Sequence, residues 1–350
     1  MLARWTDPDP PAVGATPEVM LANLGGPGLV RVSGRDRGRC RVVVTLLHGN
    51  EPSGLYAVHS WLRSRQEPAV DAVFIIASVA AALHEPLFSH RMLPDGRDLN
   101  RCFHGPADDR EGALAANILG EIERAGAECV IDIHNNTGHN PAYAVATRIG
   151  AAELRLASLF SQRFVHSDLR IGSLMEAVPT APCVTIECGK VRDPTAERVA
   201  RAGIDLLFSI DHLESIVTPW EQMEILESLV RVRALDGVRL AIGTQVNPEA
   251  DLTISSDIDS LNFTTVAAGT RIGWVGKECR WPVEARDASG QDRSAELFVV
   301  ERGALLSRAS WIPIMMTTDP VIARQDCLFY VVKRRFGGDE MRPDGSSPAL

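Results

Sequence analysis

The stretch "RVVVTLLHGNEPSG", residues 41–54, joins an apolar run to two groups that could bind a metal. The apolar run predicts a buried strand, and the small polar residues after it predict a turn. His48 and Glu51 stand three positions apart in that turn, and Gly49 and Gly54 are expected to give the backbone freedom that brings them together. The pair alone is equally consistent with an exposed loop that carries a helix-capping glutamate.

The same alternation of apolar and amphipathic segments continues on both sides of this stretch. Strand-like runs at 41–47, 72–79, 129–134 and 182–189 are separated by helix-like segments such as "EGALAANILGEIERAG", 111–126. Strands that alternate with helices are typical of a parallel sheet flanked by helices. The sequence therefore predicts an α/β fold with a mostly parallel or mixed sheet.

Four segments are expected along the chain. Residues 1–18 and 336–350 are rich in proline, glycine and charge, and we expect both to be poorly ordered. Residues 19–218 carry the strand and helix alternation and form the expected catalytic α/β domain. Residues 219–335 contain short alternating segments split by glycine, proline and aspartate, which favours a smaller β-rich C-terminal domain.

Composition excludes several classes of protein. The net charge of −9 offers no broad basic surface, so neither nucleic acid nor an anionic membrane is an expected partner. No apolar run approaches the length of a bilayer span, and the first residues lack the apolar core of a signal peptide. The seven cysteines are scattered and never spaced CxxC, which favours reduced thiols in a cytoplasm. Assembly as a homo-oligomer is left open.

Polar residues at strand ends are the candidates for chemistry, because ligands of open parallel sheets bind beyond the carboxyl ends of the strands. Three of the apolar runs lead into such residues. The run at 41–47 leads into His48 and Glu51, the run that begins at 129 leads into His134, and the run that begins at 182 leads into Glu187. Two imidazoles and one carboxylate are three ligands for zinc and leave a tetrahedral position for water. Glu187 would then lie beside that water.

Four motifs together carry a family resemblance. The segments "HGNEPSG" (48–54), "DLNRCF" (98–103), "DIHNNTG" (132–138) and "TIECG" (185–189) occur in the order and spacing that resemble the succinylglutamate desuccinylase/aspartoacylase family, relatives of the zinc carboxypeptidases. The resemblance implies a carboxypeptidase-like catalytic fold followed by a C-terminal β domain.

The resemblance also implies roles for individual residues. By it, His48, Glu51 and His134 bind one zinc ion, and Glu187 is the general base. A zinc-bound water has a pKa near neutrality, and a neighbouring carboxylate can carry its proton to the leaving nitrogen.

Further residues are implied around the substrate. By the resemblance, Asn100 and Arg101 hold a substrate carboxylate, which suits the planar fork of arginine. Arg91 is the candidate for stabilising the oxyanion, and Arg97 competes with it for that role. Asn135 either contacts substrate or caps a turn.

Several neighbouring residues receive more ordinary interpretations. Asp132 either orients a ligand imidazole or opens a loop hydrogen bond. Cys188 is expected to be a buried small hydrophobe. The remaining candidates are expected to be exposed loop histidines: His84, His90, His104 and His139.

One part of the family pattern is missing. Aspartoacylase-like members carry a tyrosine and an arginine at fixed distances before the catalytic glutamate, where this chain has Ser173 and Ala177, with Arg170 nearby. The expected activity is zinc-dependent removal of an acyl group from a small N-acyl amino acid or related acylated amine. The alternatives are a metallocarboxypeptidase for short peptides and a catalytically silent protein that binds a metal or ligand.

Overall fold

The computed structural model describes residues 2–218, 222–325 and 327–335. So far as they are described, Met1–Asn135, Ala142–Val165 and Arg170–Met223 form one compact unit, and Asn136–Pro141, His166–Leu169 and Glu224–Leu350 form a second. The tail expected at 336–350 lies outside the described residues.

A mixed sheet with helices on its faces organises the first unit. Its strands follow the order β1-β2-β4-β3-β5-β8-β6-β7. The pairs β1–β2, β3–β4 and β3–β5 are parallel, and β2–β4 and β6–β8 are antiparallel. The predicted α/β class is therefore confirmed. Up to residue 209 the elements are β1 (Ala3–Thr6), α1 (Pro10–Val13), α2 (Pro17–Leu24), β2 (Gly28–Val32), β3 (Asp36–Thr45), α3 (Ser53–Ser64), β4 (Val70–Ile76), α4 (Val79–Leu83), α5 (Arg110–Ala125), β5 (Cys129–Asn136), β6 (Tyr143–Ala146), α6 (Ala151–Ser158), β7 (Arg163–His166), α7 (Leu174–Ala177), β8 (Cys183–Lys190) and α8 (Pro194–Ser209).

The central strands are buried on both faces. All seven residues of β4 are buried. On one face Phe74 of β4 packs against Trp61 of α3 and Phe208 of α8, with ring centroids 5.2 to 5.3 Å apart. On the other face Ile118 and Ile122 of α5 belong to the cluster that buries alternate residues of β3 and β4. Helices thus hold the strand ends, where the candidate residues lie, in fixed positions.

Residues 2–18 of the segment expected to be poorly ordered at 1–18 are instead structured. β1 pairs in parallel with β2, and Val13 is buried at the end of α1. Asp9 accepts a hydrogen bond from Ala12 N, and Thr16 accepts one from Val19 N, so each side chain caps a helix. The prolines that suggested disorder occupy the first positions of α1 and α2, where the missing N–H costs nothing.

The second unit is rich in strands, as predicted for the C-terminal region. β9 pairs antiparallel with both β13 and β17, and a five-stranded sheet follows the order β10-β11-β12-β15-β14. Trp311, Phe298 and Phe329 pack together in its core. Its elements are β9 (Glu224–Ala234), β10 (Leu240–Gly243), β11 (Leu252–Ser255), β12 (Arg271–Val275), β13 (Val283–Asp287), α9 (Ser294–Leu297), β14 (Phe298–Glu301), β15 (Ala304–Ser307), β16 (Ile312–Ile314), α10 (Pro320–Gln325) and β17 (Phe329–Arg334).

Across residues 2–218, 222–325 and 327–335, every helix is too short or too polar to cross a membrane.

Candidate metal centre and active site

The turn after β3 brings His48 close to Glu51. Leu46 adopts a left-handed conformation with φ +59°, and Glu51 N donates to the carbonyl of His48 at 3.2 Å. Neither Gly49 nor Gly54 has a positive φ. They permit close packing instead: a Cβ on Gly49 would lie 2.7 Å from the His90 carbonyl oxygen, and one on Gly54 would lie 2.2 Å from Oγ1 of Thr45.

Three buried side chains converge beyond the ends of β3 and β5. Nδ1 of His48 lies 3.0 Å from Oε1 of Glu51, and Nδ1 of His134 lies 2.7 Å from Oε2 of the same carboxylate. One ligand atom from each residue can be chosen so that all three lie within 4.8 Å of one another. Each residue is only 3% exposed. This group could hold a metal ion.

Two aspartates fix the orientation of the imidazoles. Nε2 of His48 lies 2.9 Å from Asp98 Oδ1, and Nε2 of His134 lies 2.8 Å from Asp132 Oδ2. We assign the Nε2 proton of each ring to its aspartate, which leaves both Nδ1 lone pairs directed at Glu51. Lone pairs and a carboxylate that face one another suit a cation, and such carboxylate–histidine pairs commonly support metal ligands. The residues therefore fit a divalent metal.

Asp98 is the functional residue that the sequence analysis missed. It belongs to the "DLNRCF" motif, two residues before Asn100. Its Oδ2 also accepts two hydrogen bonds from Arg91, at 2.9 and 3.0 Å. An acid in a motif that supplies other site residues was the available signal. Asp132, in contrast, contacts a ligand imidazole as one of its two interpretations predicted.

The charges of these groups are strongly interdependent. Burial acts to raise the pKa of the Glu51 carboxyl, but His48 and His134 beside it lower the pKa well below its usual range. Burial acts to lower the pKa of His134, whereas Asp132 and Glu51 raise it well above its usual range. The pKa of Asp98 is likewise lowered against burial, chiefly by His48 and Arg91. The surroundings therefore favour the carboxylate forms of Glu51 and Asp98, each of which lies next to an imidazole.

The two candidate oxyanion arginines lie in different places. Arg91 contacts Asp98 and also approaches Glu51, with Nη1 3.3 Å from Oε1. Arg97 is exposed and pairs with Asp109 through two hydrogen bonds. Only Arg91 of the two contacts the ligand group.

Asn100 and Arg101 form part of a short 3-10 helix, Leu99–Arg101. Asn100 is 7% exposed, and its Oδ1 accepts a hydrogen bond from Leu174 N at 3.0 Å. Within the described residues nothing accepts from its amide nitrogen, so these protons can reach a ligand. Nη1 of Arg101 donates to the carbonyl of Asn100 at 2.9 Å.

Asn135 holds the start of α3. Its Oδ1 accepts from Ser53 N at 3.0 Å, and its Nδ2 donates to Ser53 Oγ and to the carbonyl of Gly189. Both amide protons are thereby used within the protein. The structure shows the capping role, and the substrate contact expected for Asn135 has no free donor to make it.

Glu187 is buried in β8 and only 7% exposed. Burial raises its pKa to about 8, and the carboxylates of Glu51 and Asp132 add to this effect, while His134 and Arg91 oppose it. A carboxyl group with a pKa near neutrality can both accept and release a proton at physiological pH.

The residues given ordinary interpretations mostly conform to them. Cys188 is 1% exposed, and burial raises the pKa of its thiol. His84, His104 and His139 are exposed, while His90 is half-buried with its ring 4.6 Å from that of His84.

Comparisons with known proteins agree on one family and one fold. The succinylglutamate desuccinylase/aspartoacylase catalytic domain matches residues 40–209. A succinylglutamate desuccinylase/aspartoacylase from Rhodobacter sphaeroides shares 16% identity with a TM-score of 0.57, covering 88% of this chain and 89% of that one. Murine aminoacylase 3 shares 17% identity with a TM-score of 0.52, covering 86% and 97%.

A third solved structure is similar to the same extent. The succinylglutamate desuccinylase from Chromobacterium violaceum shares 13% identity with a TM-score of 0.56, covering 88% of this chain and 89% of that one. Likeness at these identities shows a common fold. No protein of curated function matches the chain.

Proposed function

Because residues 40–209 belong to the succinylglutamate desuccinylase/aspartoacylase family, we propose that the protein is a zinc-dependent amidohydrolase. Its substrate would be a small N-acyl amino acid or a related acylated amine, which loses its acyl group. The observation that carries the proposal is the convergence of His48, Glu51 and His134, with an aspartate behind each imidazole. The scattered cysteines of the sequence support a cytoplasmic location, which we also propose.

The ligand group defines what a metal would contribute. When bound by His48, Glu51 and His134, zinc would supply a water of lowered pKa and polarise the acyl carbonyl. Three protein ligands leave a coordination position open, whereas a purely structural zinc site has four.

Glu187 would move the proton. With its pKa near neutrality, the carboxylate can accept a proton from the attacking water and return it to the departing nitrogen. Arg91 would donate to the carbonyl oxygen as negative charge develops there, because its guanidinium is already held in place by Asp98.

Asn100 and Arg101 would position the substrate. The amide nitrogen of Asn100 and the guanidinium of Arg101 can donate to a carboxylate on the amino acid part of the substrate. The backbone N–H of Leu174 occupies Oδ1 of Asn100, so the side chain presents its donors rather than its acceptor.

The Glu187→Gln variant tests the proposal. We expect it to retain the metal and to lose most turnover of N-acyl amino acids, roughly 10²-fold or more, since an amide cannot carry the proton. Glu197→Gln, the same change on the exposed surface of α8, is the control and should be as active as the parent.

Substrate and metal panels complete the test. Turnover should appear with N-acyl amino acids, disappear with a chelator and return with zinc. Faster cleavage of dipeptides than of N-acyl amino acids would favour a metallocarboxypeptidase. Bound zinc without turnover of any acylated amine would favour a silent metal-binding protein.

A further inference from the structure

A cavity in the first unit lies apart from the proposed metal ligands His48, Glu51 and His134. Its volume is about 370 Å³. It is lined by Pro27, by residues 77–81 after β4, by four residues of the following loop (Met92, Leu93, Arg97 and Leu99), and by the first turns of α5. Its walls are mainly apolar, with Val79, Met92, Leu93, Leu99 and Leu114 among them. An apolar cavity of this size is typical of sites for small organic ligands.

Two arginines line the polar part of the cavity. Arg97 and Arg110 both line it, whereas Glu111 is its only lining carboxylate among the described residues. Glu111 pairs with Arg110, and Arg97 pairs with Asp109. These ion pairs hold both guanidiniums at the wall of the cavity.

The cavity adjoins the metal centre on the side away from the ligand atoms. Arg97 and Leu99 line it, and Asp98 stands between them in sequence. Asp98 contacts Nε2 of His48, the ring nitrogen that faces away from Glu51. Ser78, a further lining residue, donates its hydroxyl to the carbonyl of Leu47 at 2.8 Å. A molecule in the cavity would therefore restrain the support of His48 without entering the catalytic site.

We propose that this cavity binds a small monocarboxylate with an aliphatic tail, and that its occupancy is coupled to metal binding. The tail would lie against the apolar walls, and the carboxylate would lie beside Arg97 and Arg110. Coupling would pass through Asp98, because a ligand that fixes Arg97 and Leu99 also restrains the carboxylate that orients His48. The coupling rests on the proposed metal centre, whereas binding of the carboxylate to the cavity does not depend on it.

Calorimetric binding of octanoate to the full chain tests the ligand class, with octylammonium and octanol for comparison. We expect octanoate to bind at least about tenfold more tightly than octylammonium, because the ammonium would face two guanidiniums. Arg110→Gln should weaken octanoate binding and leave octanol binding unchanged, while Arg124→Gln on the exposed part of α5 should change neither. Equal affinity for the three compounds, or no binding of octanoate, overturns the ligand class.

Cavity-filling variants test the location. Ala80 lines the cavity and is exposed, so Ala80→Phe can place its ring in the cavity without displacing core residues. We expect octanoate binding to weaken at least about tenfold, since the ring removes volume that the tail needs. Ala116→Phe, the same change on the exposed face of α5, should bind octanoate as the parent does. Parent-like binding by both Ala80→Phe and a second filling variant, Leu93→Trp, overturns the location.

Zinc affinity tests the coupling. Competition with a chelator should give a zinc Kd that differs about threefold or more with and without saturating octanoate, and the octanoate Kd should shift by the same factor on zinc binding. Neither measurement requires turnover, so the test of the coupling does not depend on the outcome of a deacylation assay. Identical zinc affinities in the two conditions overturn the coupling.

Discussion

Asp98 joins two functions through one carboxylate. Its Oδ1 contacts the imidazole of His48, and its Oδ2 accepts both hydrogen bonds from Arg91. The same group therefore orients a proposed metal ligand and the proposed oxyanion donor. Loss of its charge would weaken both contacts at once.

Asp98→Asn should lower zinc affinity about 10- to 100-fold, because the amide is a weaker acceptor for the His48 ring proton. The zinc Kd from chelator competition measures the effect. Asp211→Asn is the matched control, since Asp211 is an exposed aspartate that pairs with exposed Arg35. An Asp98→Asn protein with parent-like zinc affinity would show that the aspartate does not support the ligand.

Glu187 makes the stability of the metal-free protein depend on pH. Burial raises its pKa from 4.5 to about 8, so between these values the folded state binds more protons than the unfolded state. Stability from this group is therefore present below about pH 4.5 and lost as pH rises through 8.

Glu187→Gln should remove that pH dependence. In chelator, we expect the variant to gain free energy of unfolding relative to the parent as pH rises from 5 to 8, by up to a few kcal/mol. Denaturant unfolding at a series of pH values measures this difference. The exposed Glu197→Gln variant should follow the parent, and a constant gap between Glu187→Gln and the parent would contradict the buried, protonated carboxyl.

At the scale of elements, the start of α3 sets the position of Glu51. Ser53 N is held by Asn135, and Gly54 lies against β3 and β5, with Thr45 Oγ1 at 2.2 Å and Ile133 Cβ at 2.9 Å from the site of a Cβ. The helix can approach the sheet this closely only because residue 54 has no side chain.

Gly54→Ala should therefore destabilise the protein by about 1–3 kcal/mol and weaken zinc binding, because the added methyl displaces the start of α3 and with it Glu51. Gly120→Ala is the control within another helix: its Cβ would meet only the end of the Arg124 side chain, at 3.4 Å. We expect that change to stabilise by about 0.5–1 kcal/mol through helix propensity. Thermal unfolding of the two variants, each with and without zinc, separates the effect on stability from the effect on zinc binding. A Gly54→Ala protein as stable as the parent would contradict the close packing.

The strands, and the meeting of His48, Glu51 and His134 beyond their ends, could be predicted because apolar runs and the polar residues that follow them are visible in local sequence. Apolar runs such as 41–47 mark buried strands, and polar residues just beyond them must lie at one edge of a parallel sheet. The contact of Asp98 with His48 could not be found this way, since the two residues are fifty positions apart in sequence. The helices capped by Asp9 and Thr16 were not predicted, because a proline-rich composition is typical both of the first turn of a helix and of irregular chain.

The loop that replaces the family's substrate-reading residues is held by a buried acid. Glu176 accepts hydrogen bonds from the backbone N–H groups of Ile171, Gly172 and Ser173, and from the Ser173 hydroxyl. Ser173 thus begins α7 as its cap. Ser173, which stands where the family resemblance implies a substrate-reading residue, thus has a structural role here, and the motifs alone do not predict the substrate.

At the scale of the whole molecule, metal binding and folding are linked. His48 and Glu51 follow β3, whereas His134 lies in β5, so the three ligands meet only in the folded state. In the absence of a cation, two imidazole lone pairs face a buried carboxylate, and the folded state must keep a proton or another cation there. Zinc should relieve this cost and bind the folded state far better than the unfolded one.

Zinc should therefore raise the unfolding temperature of the metal-stripped protein in a concentration-dependent way. At a free zinc concentration of about 100 times Kd, the gain should be about 2.7 kcal/mol. Glu51→Gln should abolish this dependence, because it removes a proposed ligand whose carboxylate contacts both imidazoles. Glu197→Gln should respond to zinc as the parent does. Calorimetry across a zinc titration measures the effect, and a transition temperature that is independent of zinc in the parent protein would separate the three side chains from any metal.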